Sequence, residues 1–189
     1  MAGFRSDFKR ATRVLYRNRH YSFLMLSLLV AFSLVGFLWP EYFLTEQQMF
    51  REQIMELTAG RSLFDLFVII LLNNLRAAFL SIMLGIFFGL IPLFVAAVNG
   101  YFLGAVVGNV WKTAGPNTLL LVVPHGVFEL PGLAIAFGLG LRFGLWFREK
   151  AKWQDIKVNF SDFMLVYFYI VTPLLLVAAV IESALIAFF

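Results

Sequence analysis

The chain has 189 residues, of which 61% are hydrophobic and 14% charged, with a net charge of +4 and no cysteine. Soluble domains average about 45–50% apolar and about 25% charged residues. Here charge-free runs at 21–39, 77–111 and 163–181 reach the roughly 20 residues that bilayer hydrocarbon demands. Disordered, fibrous, disulfide-stapled and zinc-finger classes are excluded. The expected fold is all-α, a polytopic transmembrane helical bundle of about five spans in a single membrane domain, 1–189.

Residues 1–20 hold six basic side chains (Arg5, Lys9, Arg10, Arg13, Arg17, Arg19) against one acid, Asp7. The positive-inside rule places this end in the cytoplasm and explains the basic charge without a nucleic-acid partner. Phe4, Phe8, Ala11 and Leu15 recur at steps of four, three and four, so 1–20 reads as an amphipathic helix lying on the inner leaflet. Span 1 covers 21–39. It lacks a small-residue cleavage site before Pro40 and reads as a retained span, not a signal peptide.

Segment 41–61 carries Glu41, Glu46, Glu52 and Glu56 against Arg51 and Arg61, which suits an external position. Thr45 with Gln48 begins a capping box, Phe50, Ile54 and Leu57 share one face and Gly60 supplies a stop, which predicts a short external helix. Ser62 with Asp65 repeats the capping pattern, so the next helix enters the membrane from about Leu63.

The central helices occupy 63–147. Leu63 to Trp111 is too long for one crossing, and the turn between two crossings falls at Leu90-Ile91-Pro92 or at Val98-Asn99-Gly100, of which Asn-Gly is the stronger turn dipeptide. After a loop at 114–118, a third crossing runs to 147. The rival layout has broken or re-entrant helices within 99–132, because Pro124, Gly126, Pro131 and Gly132 interrupt that region. A basic cytoplasmic loop follows at 148–161, and the last span, 162–189, carries a kink signal at Thr172-Pro173. This topology leaves the N-terminus inside and the C-terminus outside.

Gly100, Gly104 and Gly108 form a ladder at four-residue spacing, as do Gly132, Ala136, Gly140 and Gly144, with a shorter one at Gly85 and Gly89. Small residues at this spacing let membrane helices approach closely. Contacts within the monomer are the first reading of these ladders and a homo-oligomer is the second.

Asn73, Asn74, Arg76, Asn99, His125, Glu129 and Glu182 are embedded in apolar spans, where ionisable groups are costly and face the bundle interior or mark a pathway. Arg76 and Glu129 fall at comparable depth, which predicts an ion pair completed by Asn73 or Asn74. His125 and Glu129 share a face at i, i+4. A structural polar network, a proton or substrate pathway and a metal site all fit that spacing. Two ligands fall short of the three protein ligands of a catalytic zinc, and no HExxH, GxSxG or Walker pattern is present. No cofactor and no catalytic residue is expected.

The strings Asn73-Asn74-Leu75-Arg76, Val98-Asn99-Gly100-Tyr101-Phe102-Leu103-Gly104 and above all Pro124-His125-Gly126-Val127-Phe128-Glu129-Leu130-Pro131 resemble the stage II sporulation protein M family of integral membrane proteins. The match in order and spacing covers roughly 65–147. In spore formers the resemblance implies a membrane scaffold that brings peptidoglycan-remodelling enzymes to the engulfing septum, and members also occur in archaea and in bacteria that do not sporulate. It carries no established catalytic residues; Asn74, Asn99, His125 and Glu129 match motif positions. The expected function is therefore a non-catalytic membrane scaffold or assembly protein in the cell membrane, with the lipid bilayer and membrane or envelope proteins as partners. A small transporter or channel built on His125 and Glu129 is the alternative.

Overall fold

The computed structural model describes residues 2–43, 60, 62–115, 119–145 and 153–188. They form helices α1 (Ala2–Leu38), α2 (Leu63–Leu84), α3 (Leu90–Ala114), α4 (Leu119–Gly144), α5 (Trp153–Val166) and α6 (Thr172–Phe188), with a 3₁₀ turn at Pro40–Phe43 and a π-helical stretch at Tyr167–Val171 joining α5 to α6. No strand occurs among the described residues. Among the described residues, five stretches are long and apolar enough to cross a membrane: Gly3–Leu38, Leu63–Leu84, Leu90–Lys112, Pro124–Gly144 and Lys157–Ala187. The protein is a multi-pass helical membrane protein, as its composition requires.

The amphipathic segment expected to lie flat over 1–20 does not form a separate helix. It continues into the first span as one 37-residue helix, about 55 Å long at about 1.5 Å per residue. Residues 4–35 contain neither glycine nor proline, so nothing in the backbone ends the helix there. Ala11 and Val14 are buried, whereas Phe4 and Phe8 stay exposed. The expected external helix over 45–59 lies outside the described residues, and Gly60, its expected stop, has φ 69°.

Ser62 caps α2 as predicted. Its Oγ accepts from the Asp65 N–H at 3.2 Å and its own N–H donates to Asp65 Oδ2 at 3.2 Å. The turn after α2 falls at neither expected place. It occupies 85–89, with Phe88 at φ 58° and Gly89 at φ 71°. Pro92 sits in the first turn of α3, where its missing N–H costs nothing. The Asn99–Gly100 dipeptide is helical: Asn99 Nδ2 donates to the Val95 carbonyl at 2.8 Å. A left-handed glycine is the cheaper reversal, and Gly89 provides it.

Helix α4 runs unbroken through Pro124 and Pro131, so the layout with half-helices in 99–132 is not adopted. Pro131 withholds only the hydrogen bond to the Val127 carbonyl, a loss that membrane helices tolerate. Helix α5 starts at Trp153, inside the stretch predicted as a loop, and leads without a break into the last apolar segment. The Thr172-Pro173 signal is met by widening the helix. Pro173 cannot bond the Tyr169 carbonyl, and the Thr172 N–H reaches back to Tyr167 instead, an i→i−5 bond.

Helix α4 is the centre of the bundle and touches each of the other five helices. Its spanning window is 56% buried, against 17–33% for the others. The glycine ladders make these approaches inside one chain. On α3, Gly100, Gly104 and Gly108 face Leu29, Ser33 and Phe37 of α1, and Gly36 of α1 returns the contact against Tyr101 and Ala105. Ser33 Oγ donates to the Gly100 carbonyl at 3.0 Å across this seam. Gly85 and Gly89 in the turn abut Gly140, Leu141 and Gly144 of α4, and Gly132 lies under Leu175 of α6. A Cβ at most of these glycines would overlap backbone atoms of the facing helix.

Candidate functional site

The seven polar residues singled out from the sequence do not form one network. On α2, Leu66, Asn74, Ala78, Ser81 and Ile82 are the buried positions. Asn74 therefore faces inward, while Arg76, about 200° further round at about 100° per residue, is exposed, as is Asn73. The expected Arg76–Glu129 pair is absent: the ion pairs among the described residues are Arg10–Asp162, Arg17–Asp162 and His125–Glu129. The helical phase turned Arg76 away, and the level of contact, Ser81 of α2 against Gly140 of α4, leaves Arg76 and Glu129 at different heights. Asn99 is exposed and bonds its own helix.

His125, Glu129 and Glu182 converge. The first two lie one turn apart on α4, with His125 Nε2 4.0 Å from Glu129 Oε2. Glu182 reaches the same point from α6, and one potential ligand atom from each residue lies within 4.8 Å of the other two. All three are partly buried; the side chains of His125 and Glu129 are 12% and 23% exposed. Gly132 sets the spacing between the two helices. It has no side chain to hold α6 off, so Leu175 Cδ2 comes within 3.1 Å of where a Cβ would stand. The sequence left Glu182 near an edge of its span. What brings it to the pair is the antiparallel crossing of α4 and α6, which no local spacing encodes.

An apolar groove of about 400 Å³ lies beside this cluster, walled by Ser33 and Phe37 of α1, Leu103 and Val107 of α3, and Gly126 and Leu130 of α4. Gly126 is the residue after His125, so the groove and the polar cluster share one turn of α4. A second polar contact was not legible in the sequence. Arg10 Nε donates to Asp162 Oδ1 at 2.7 Å, with Arg17 Nη2 at 4.0 Å from Oδ2. Asp162 is buried and ties the basic end of α1 to the start of the last membrane segment. Tyr167, at the head of the π stretch, donates to the Leu75 carbonyl of α2 at 3.1 Å.

The sequence model of the stage II sporulation protein M family matches residues 22–185, a region that contains the whole cluster. The chain belongs to that family. Among curated proteins it is similar to two uncharacterized proteins of Methanocaldococcus jannaschii. One is 33% identical over 91 residues, covering 48% of this chain and 39% of the relative. The other is 30% identical over 101 residues, covering 50% of this chain and 57% of the relative. The matches thus span about two fifths and just over half of those relatives. No solved structure matches the chain.

Proposed function

We propose that this member of the stage II sporulation protein M family is a membrane scaffold or assembly protein that organises membrane or envelope partners and is not itself catalytic. The observation that carries this reading is the contrast within the bundle. Its centre is fixed by backbone-to-backbone glycine contacts around α4, while its outer faces are broad and apolar, with Leu72, Phe94 and Phe168 at 60–70% exposure. A rigid body with lipid-facing surfaces suits lateral docking of other membrane helices. The exposed basic side chains of α1 support a cytoplasmic N-terminus and, with five spans, an external C-terminus.

The cluster of His125, Glu129 and Glu182 favours the second reading, a small transporter or channel, because ionisable groups at membrane depth mark pathways. The two readings separate in one experiment. Photo-crosslinkers placed at Phe94 and Phe168 in native membranes should capture a defined partner protein. In parallel, proteoliposomes of the purified chain should show no proton or cation flux above empty vesicles. Flux that disappears in His125→Ala or Glu129→Gln while the protein stays folded would replace the scaffold by the transporter.

A further inference from the structure

We propose that His125, Glu129 and Glu182 bind a divalent transition-metal ion of the zinc class between α4 and α6. The site goes beyond the scaffold reading and does not depend on it. Three donors are the protein complement of a zinc site that keeps a fourth position open for water. Around a tetrahedral ion with bonds of about 2.0 Å, ligand atoms stand about 3.3 Å apart. The donor atoms of these residues already lie within 4.8 Å of one another, so small side-chain rotations bring them to a common centre. His125 and Glu129 have the i, i+4 spacing by which one helix turns two ligands toward one ion. Glu182 supplies the third from a separate helix held close by the Gly132–Leu175 contact.

Charge balance points the same way. Two carboxylates approach each other at membrane depth, where an uncompensated charge is costly. Among the described residues, neither Glu129 nor Glu182 forms an ion pair with a lysine or arginine. A divalent cation with two carboxylates and a neutral imidazole sums to zero. The imidazole nitrogen selects the ion class: calcium and magnesium take oxygen shells of six or more ligands, whereas mixed nitrogen and oxygen sets with few ligands suit zinc and its neighbours. Bound there, the ion would clip α4 to α6.

The test uses the full chain in detergent, with any histidine tag removed, stripped by a chelator and then equilibrated with zinc. The expected result is one ion per chain after desalting and a higher unfolding temperature. Cobalt in its place should give the visible absorption bands of a four-coordinate site. His125→Ala, Glu129→Gln and Glu182→Gln should each weaken zinc binding by about tenfold or more, while His20→Ala, which removes the other histidine, should leave it unchanged. Zinc retention equal in all three site variants and the parent would overturn the site, as would a parent protein that is helical by circular dichroism yet retains no zinc. Should the variants misfold, X-ray absorption on the zinc-loaded parent decides. An imidazole with oxygen neighbours upholds the site, and an all-oxygen shell rejects it.

Discussion

Arg10 and Asp162 are 152 positions apart, yet Arg10 Nε lies 2.7 Å from Asp162 Oδ1. The bond joins the basic end of α1 to the beginning of the last membrane segment. Asp162 is 10% exposed and Arg10 52%, so the energetics fall between those of a surface pair and a buried one. Asp162→Asn and Arg10→Met should each lower stability by about 1–2 kcal/mol. The double variant should lose less than the sum, because the bond can be lost only once. Unfolding of the four proteins in mixed micelles measures the coupling, and strictly additive losses would mean that the contact contributes nothing.

Close approach of α1 and α3 rests on glycine. At Gly104 a Cβ would overlap the Ser33 carbonyl oxygen, whereas at Gly126 nothing lies within 4 Å of the corresponding position. Gly104→Ala is therefore expected to cost about 1–3 kcal/mol. Gly126→Ala should be neutral or stabilising, since alanine is the better helix former. Thermal unfolding of both variants in the same detergent checks the contrast; equal effects would remove the seam from the account.

Two glycines of positive φ show backbone strain with and without a neighbouring contact. Gly89 (φ 71°) and Gly115 (φ 82°) both have positive φ, but an added Cβ meets Leu141 Cδ1 at 2.7 Å in the first and nothing within 4 Å in the second. Gly115→Ala should cost about 1–3 kcal/mol from backbone conformation alone, since φ 82° with ψ 179° is a region that glycine alone occupies readily. Gly89→Ala should add to an αL cost of about 1 kcal/mol the displacement of Leu141, so Leu141→Ala should relieve part of its loss. A Gly89→Ala loss unchanged in the Leu141→Ala background would show that the turn does not rest on α4.

Tyr167 ties the π-helical stretch to α2 through its hydroxyl and its ring. Tyr167→Phe removes the 3.1 Å bond to the Leu75 carbonyl while keeping the ring, which is packed against Phe79. The expected loss is about 0.6 kcal/mol, the average for a hydrogen bond between membrane helices. Tyr167→Ala should cost several times as much, since it also empties a buried aromatic site. Equal losses in the two variants would assign the whole effect to the hydroxyl.

Five helices long and apolar enough to cross a membrane, the Ser62–Asp65 cap and the glycine ladders were legible from the amino-acid sequence, because each is local. Hydropathy acts over a window of about 20 residues, capping over four, and small-residue spacing over one or two turns. The same locality explains what was misread. Asn99-Gly100 carries a turn signal and Pro124 to Gly132 a breaking signal, yet both lie inside helices, because membrane insertion rewards continuous helix and Gly100 was needed for contact with α1. Only tertiary structure decided which polar residues meet. Arg76 and Glu129 do not meet, because the 200° between Asn74 and Arg76 turns the arginine outward. Glu182 joins His125 and Glu129 because α4 and α6 cross where Gly132 leaves room, and Asp162 finds Arg10 because α1 runs on beyond its span. Such pairings depend on how whole helices rotate and cross, a property of the assembled bundle that no stretch of sequence holds by itself.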